Sequence, residues 1–323
     1  MASFFSLELD RHLGVDGHLQ KLRVLLDWEA FRPLLSGVHS AFGPSGYDVI
    51  LMLRIMLLQQ WHSVSDPGME HALRVRLDFL QFCDLEVGSA IPDETTICKF
   101  RGRLVKLGVF DALLDEVNRQ LETHNIKVKA AGEAIVDATL IAANARPRKV
   151  MDASTETESL SADGDATWKK KGKKSYFGYQ GFARCDEDGF IDKTHVTPAN
   201  ESEMKHLETM AKDLPKGTRL RTDKGFSSTD NRQILQDKNL KNGLMYKAAR
   251  GRKLTRWQKQ FNRLISKTRW RIEQCFGTIK RRFHYHKSSY FSTAKTHAQF
   301  TMKAICQNLL KATNMIQIHP ETP

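Results

Sequence analysis

The 323-residue chain is long enough to bury a full core, and its 41% hydrophobic and 27% charged residues are ordinary for a globular protein. Its formal net charge of +13 predicts a polyanionic partner. The longest apolar run, residues 49–58, is interrupted by Arg54 and is too short to cross a bilayer, which excludes a membrane partner. The five cysteines are widely spaced, which excludes a zinc site on paired cysteines. Their odd number and the lack of a signal peptide favour the reducing cytoplasm.

The first 125 residues carry helical patterns throughout. Residues 47–61 are apolar on nearly every face, as expected of a central core helix. Residues 71–82 and 109–121 repeat their apolar positions with the 3.6-residue period of an amphipathic helix. We therefore predict an all-α amino-terminal domain over residues 1–125.

A further helix is predicted to begin at Asp93, whose carboxylate is a plausible N-cap. Its polar side chains include Lys99 and Arg101, which are candidates for DNA contact if this segment enters a groove as part of a helix-turn-helix. The alternative is an ordinary solvated helix face. The sequence supports the two interpretations equally.

From about residue 131 the pattern changes to mixed α/β over residues 126–323. Strands are predicted at 134–141, 176–185, 190–197, 219–222 and 243–248, and helices at 203–214, 227–238 and 263–283. Residues 186–189 between the second and third strands are typical of a hairpin turn. Residues 151–175, an acidic stretch followed by a basic one with little hydrophobicity, are predicted to be a mobile loop.

The positive charge is concentrated in one segment. Residues 241–290 hold fifteen Lys and Arg residues and a single acid, Glu273. A disordered basic tail is disfavoured, because the same segment contains enough aromatic and aliphatic residues to pack. The segment is therefore predicted to be a surface that binds nucleic-acid phosphates.

Three acids are candidates for a catalytic centre. Asp137 stands in the middle of an apolar strand, Asp223 ends the strand at 219–222, and Glu273 lies on the long basic helix. Taken singly, each acid also has an ordinary structural interpretation. Asp137 would cap the end of a strand, Asp223 would belong to a turn, and Glu273 would form an i,i+4 ion pair with Arg269. Together they would form a hard-oxygen site suited to two Mg²⁺ or Mn²⁺ ions, which support in-line phosphoryl displacement.

At these residues the chain resembles the DDE transposases of bacterial insertion sequences, specifically the IS-five family within the IS-four-like superfamily. Arg269, Glu273 and Lys280 match the signature Tyr-two-Arg-three-Glu-six-Lys, in which the numerals count intervening residues and Ser266 replaces the tyrosine. The segments that match family motifs are Val136-Asp137-Ala138-Thr139, Thr222-Asp223-Lys224-Gly225-Phe226, Ser65-Asp66-Pro67 and Ile91-Pro92-Asp93-Glu94-Thr95-Thr96.

The resemblance implies an RNase H-like catalytic domain with a mixed sheet at residues 126–323, preceded by a helical DNA-binding or assembly domain. It implies two divalent ions held by Asp137, Asp223 and Glu273, and cleavage that releases 3′-hydroxyls for attack on target DNA. The expected partners are terminal inverted repeats, target DNA and further copies of the chain, as a dimer or a higher oligomer at the nucleoid.

Residues expected to contact DNA come from the basic segment, the 151–175 loop and the helix after Asp93. They are Arg269, Lys280, Arg281, Arg282, Lys169, Lys170, Lys171, Lys99 and Arg101. Two alternatives to a transposase remain: a metal-dependent nuclease of the same fold that cuts without joining, and an inactive relative that only binds DNA. The presence of all three acids and of Lys280 disfavours the inactive relative.

Overall fold

Two units make up the chain in the computed structural model, which describes residues 9, 11–13, 17–38, 46–127, 132–147 and 161–316. Unit 1 comprises Met1–Lys127 together with Met302–Pro323, and unit 2 is Val128–Thr301. The division at residue 127 lies two residues beyond the predicted boundary. The segment from Met302 groups with unit 1, whereas the sequence predicts it as part of the second domain.

Unit 1 is helical in every described segment before residue 128, which confirms the predicted all-α region. Its helices are α1 (His18–Leu25), α2 (Val49–His62), α3 (Asp66–Val75), α4 (Leu77–Phe82), α5 (Glu94–Leu107) and α6 (Phe110–Thr123), with 3-10 turns at Glu29–Phe31 and Pro33–Val38. Helix α2 is buried on nearly all sides, as its uniformly apolar sequence predicts. Asp93 caps α5 by accepting a hydrogen bond from the Thr96 backbone NH at 2.7 Å.

A buried lysine closes the carboxyl end of α2. The ammonium of Lys303, 2% exposed, donates to the carbonyl of Gln60 at 2.6 Å and to the hydroxyl of Ser63 at 2.9 Å. Burial lowers the pKa of Lys303 from 10.5 to about 8, and nearby Cys306 opposes the shift. Since the lysine is charged at neutral pH, unit 1 carries a charge in its interior there.

Unit 1 is therefore expected to gain stability in alkali. The folded pKa lies below the unfolded one, so the cost of burying the charge is full below about pH 8 and disappears as the pH rises towards 10.5. The free energy of unfolding of the wild type, relative to Lys303→Met, should rise by about 3 kcal/mol over that range. Urea denaturation of both proteins across these pH values measures it. A difference that stays flat with pH contradicts the prediction.

A six-stranded mixed sheet forms the centre of unit 2. Its strands are β1 (Glu133–Ala142), β2 (Thr167–Lys171), β3 (Lys174–Asp186), β4 (Ile191–Pro198), β5 (Arg219–Thr222) and β6 (Lys241–Leu244), in the order β2-β3-β1-β5-β6 with β4 also paired to β3. Strands β1 and β5 and strands β5 and β6 pair in parallel, whereas the pairs that involve β3 are antiparallel. These directions confirm the expected mixed sheet of an RNase H-like domain.

Helices cover both faces of the sheet. Their bounds are α7 (Leu207–Met210), α8 (Thr229–Asp237), α9 (Arg256–Arg281) and α10 (Thr293–Met315). On one face Val136 and Phe182 join an apolar cluster with Leu207 and Leu235 of α7 and α8. Helix α9 packs against β1, β3 and β5 and buries Ile272 among its apolar residues. Because side chains alternate along a strand, Asp137 projects to the opposite face from Val136.

Several predicted elements differ from the observed ones. Part of the predicted mobile loop is strand β2, in which Trp168 packs on Phe177 of the antiparallel partner at a ring separation of 5.2 Å. Residues 151–160 of the same prediction lie outside the described residues. Helix α9 begins seven residues before the predicted start, because Thr255 and Gln258 form a capping box there.

The segment predicted as one helix over 203–214 is a 3-10 turn, Glu203–His206, followed by the single turn α7. Strand β6 likewise covers Lys241–Leu244, earlier than the predicted 243–248. None of the helices in the described ranges combines the length and the apolar character needed to cross a bilayer.

Candidate active site

Two of the predicted acids lie side by side on parallel strands. In the β1–β5 pairing Ile135 lies opposite Arg221, and Asp137 and Asp223 each follow two residues later. Asp223 comes directly after Thr222, the last residue of β5. The parallel register therefore brings these two aspartates to the same level of adjacent strands, where the sheet gives way to a turn.

The environment of Asp137 disfavours its charged form. Burial raises the pKa of Asp137 above its ordinary value, Arg269 opposes that shift, and the nearby carboxylate of Asp223 raises the pKa further. The side chain is only 14% exposed, and its Oδ1 accepts a hydrogen bond from the backbone NH of Ala138 at 2.9 Å. A cation close to this carboxylate would offset both the cost of burying its negative charge and its repulsion from Asp223.

Asp223 organises the turn that follows β5. Its Oδ1 accepts a hydrogen bond from the backbone NH of Gly225 at 2.7 Å and caps the 3-10 turn Lys224–Phe226. The space beside Gly225 is occupied by two carboxylate oxygens. A Cβ there would lie 2.9 Å from Asp223 Oδ1 and 2.1 Å from Glu203 Oε2, so any larger residue would push one of these carboxylates away.

Arg269 joins the sheet-borne acid to the helix-borne one. Its Nη2 lies 2.7 Å from Asp137 Oδ2 and 4.0 Å from Glu273 Oε1, one helical turn further along α9. The Glu273 side chain is 64% exposed, which leaves its carboxylate accessible from solvent. The Nε of Arg269 is buried without a hydrogen-bond partner in the described part of the chain. One guanidinium thus bridges Asp137 and Glu273.

Lys280, near the carboxyl end of α9, contacts β1 close to Asp137. Its ammonium donates to the carbonyl of Leu140, three residues beyond Asp137, at 3.1 Å. Burial lowers the pKa of Lys280, and the positive charge of Lys171 lowers it further. The β2–β3 hairpin therefore contributes positive charge beside this end of the helix.

The donors match a divalent cation in kind. Carboxylate oxygens are the ligands that Mg²⁺ and Mn²⁺ prefer, and a cationic group, Arg269, already lies between Asp137 and Glu273. Over the described ranges, no three His, Cys, Asp or Glu side chains are gathered closely enough to hold a metal ion as they stand. The chemistry of the site fits the ion, and the side chains must rearrange locally to bind it.

The other predicted DNA contacts separate into exposed and engaged residues. Lys99, Lys170, Lys171, Arg281 and Arg282 are exposed. Lys169, in contrast, turns inward: it donates to Gln180 and lies 3.7 Å from Glu203.

Arg101 is the predicted contact that the structure places in the interior. It is 8% exposed, and its guanidinium binds both oxygens of Asp66, at 2.7 and 2.6 Å. The paired carboxylate satisfies the buried charge, so Arg101 holds α5 against α3 and is not available to DNA. Arg101 is therefore a buried structural residue, in contrast to its prediction as a DNA contact.

Glu203 is absent from the site residues predicted from the sequence, although it lies beside the Asp223 turn. The only sequence signal was the glycine two residues after Asp223, which permits a close approach without identifying the group that approaches.

Comparison with known proteins covers most of the chain. Residues 130–309 match the family described as a transposase DDE domain, and residues 7–103 match one described as a transposase domain (DUF772). The transposase for insertion sequence element IS1106 of Neisseria meningitidis serogroup B is 42% identical over 224 residues, which cover 68% of this chain and 78% of the relative.

Two solved structures also align with the chain at 10% identity. One is the piggyBac transposase synaptic complex with hairpin DNA, with a TM-score of 0.46 over 97% of this chain and 75% of that one. The other is the Mos1 transposase paired-end complex with left transposon end, with a TM-score of 0.22 over 84% and 96%.

Both matched regions are transposase domains, so the protein is an enzyme that cleaves DNA and transfers the cut strand. The chain belongs to the DDE transposase family, whose chemistry requires a divalent metal ion.

Proposed function

We propose that this transposase cuts and joins DNA at a centre formed by Asp137, Asp223 and Glu273, which hold two Mg²⁺ or Mn²⁺ ions. The parallel register of β1 and β5 carries the proposal, because it sets two aspartates from distant parts of the chain at one level of the sheet. The bridge from Asp137 through Arg269 to Glu273 supports the inclusion of the helix-borne acid.

The proposed ions supply the chemistry of in-line displacement: they activate the attacking oxygen and stabilise the leaving one. The three carboxylates hold and space the cations, and the parallel strands keep the two aspartates in register. Arg269, which binds Asp137 Oδ2 here, would be available to bind a DNA phosphate if Asp137 held a metal ion instead. Lys280, which lies beside the same strand, offsets charge at the phosphorus.

The proposed substrates are the terminal inverted repeats of an insertion sequence and a target DNA. The name of the Neisseria relative, a transposase for an insertion sequence element, supports this choice. The exposed bases Lys99, Lys170, Lys171, Arg281 and Arg282 are the proposed phosphate contacts. Joining needs two DNA ends to be held together, so we propose that the active form is a dimer or a higher oligomer acting at the nucleoid in the cytoplasm.

A strand-transfer assay with pre-cut ends tests the proposal. Oligonucleotides that carry a repeat end with a free 3′-hydroxyl are incubated with supercoiled target DNA and Mg²⁺. The wild type should join end to target, whereas chelation of the metal or Asp223→Asn should abolish the joined product. Target nicking without joining would indicate a nuclease instead, and joining that survives both treatments would refute the metal centre.

A further inference from the structure

A fourth carboxylate approaches the Asp223 turn from the neighbouring 3-10 turn. Glu203 begins the turn Glu203–His206, which packs against Lys224–Phe226. The position that a Cβ of Gly225 would occupy lies 2.1 Å from Glu203 Oε2 and 2.9 Å from Asp223 Oδ1. The two carboxylate oxygens are therefore within about 5 Å of each other, a distance at which like charges repel unless a cation is shared.

Glu203 is held through one oxygen only. Gln180, buried on β3, donates to Glu203 Oε1 at 2.7 Å, and the ammonium of Lys169 lies 3.7 Å from the same oxygen. Lys169 also donates to the amide oxygen of Gln180, so these two residues fix the carboxylate from the β2–β3 hairpin. Oε2 has no hydrogen-bond partner among the residues described. It is the oxygen that faces Gly225 and Asp223.

The proximity of Glu203 Oε2 to Asp223 is better explained by a shared cation than by a purely structural role for Glu203. A carboxylate needed only to anchor Lys169 gains nothing from a second oxygen set beside another acid, because that proximity costs electrostatic free energy. A divalent ion uses both oxygens and removes the repulsion. Gly225, which has no side chain, lets the two carboxylate oxygens approach each other over its Cα.

We propose that Glu203 is a fourth carboxylate of the catalytic centre, which gives its Oε2 to the metal ion held by Asp223. The inference rests on the proposed function and extends it by one residue. Gln180 and Lys169 are positioning residues in this scheme, since they act on the ion through Glu203. Lys169 is thereby assigned to the metal centre and not to the DNA surface.

Titration of the full chain with Mn²⁺, without DNA, tests the proposal. Glu203→Gln keeps the hydrogen-bonding shape of the side chain but removes its charge, and it should weaken Mn²⁺ binding by at least about 10-fold. Gly225→Ala should weaken binding comparably with both carboxylates still present, because its methyl group would displace Glu203 Oε2 or Asp223 Oδ1. The matched control is Glu208→Gln, an exposed acid of α7, which should leave the affinity at the wild-type level.

Asp223→Asn separates this inference from the function on which it rests. If Asp223→Asn loses Mn²⁺ while Glu203→Gln and Gly225→Ala bind it as the wild type does, Glu203 is only a hairpin anchor and the proposal is overturned. If Asp223→Asn also binds normally, the metal centre itself is misplaced. A parallel loss in Glu203→Gln and Gly225→Ala, with thermal unfolding close to that of Glu208→Gln, supports the fourth ligand.

Discussion

Replacing Glu273 with glutamine is expected to slow cleavage at an element end by at least about 10³-fold while DNA binding persists. The amide keeps the size of the side chain but cannot supply an anionic ligand to a metal ion. The fold should be unaffected, because the Glu273 side chain is 64% exposed and Arg269, which approaches it to 4.0 Å, retains Asp137 as its partner. DNA affinity should stay level or rise slightly, since Glu273 is the single acid among fifteen bases.

The measurement pairs single-turnover cleavage of a labelled repeat end with a filter-binding isotherm on the same DNA. Gln274→Ala, at the exposed neighbour on α9, provides the matched control and should cleave as the wild type does. Cleavage by Glu273→Gln at a wild-type rate would remove this residue from the centre. A joint loss of binding and cleavage would instead assign Glu273 to the DNA interface.

Much of the catalytic unit could be predicted because its signals are local. The apolar run around Asp137 and the short strand before Asp223 both form strands at the predicted places. Their parallel adjacency was not visible in either segment, because strand order depends on packing between distant parts of the chain. The prediction that the two aspartates belong to one site rested on their chemistry and on the family resemblance, and the register of the sheet explains how they reach the same level.

Two of the predicted DNA contacts, Arg101 and Lys169, have partners far along the chain that pattern alone does not reveal. Arg101 shares a helix with exposed Lys99, but it faces Asp66 on another helix and is buried by that ion pair. Lys169 belongs to a run of lysines, but strand alternation turns it towards Gln180 while Lys170 faces solvent. Composition cannot distinguish an exposed base from one that a distant acid neutralises.

The same distinction defines which bases of the long helix should govern DNA affinity. Arg256, Arg263 and Lys267 lie at spacings of seven and four residues on α9, so they share one face, and all three are exposed. Their helix is packed on the sheet through its apolar side, which makes the basic face a fixed surface and not a flexible tail. Each phosphate that such a surface neutralises releases about one condensed counterion.

DNA affinity is accordingly expected to fall steeply with salt, by roughly 10³–10⁵ between 50 and 200 mM if six to ten phosphates are contacted. When Arg256, Arg263 and Lys267 are changed together to glutamine, the plot of the logarithm of the DNA association constant against the logarithm of the salt concentration should become less steep. The magnitude of its negative slope should fall by about 3. The control changes the exposed Lys205, Lys212 and Lys216 to glutamine, which removes the same amount of positive charge from unit 2 outside the basic segment. This control should leave the slope near its wild-type value. Equal slopes for both triple variants would show that net charge governs binding and that the α9 face does not contact DNA.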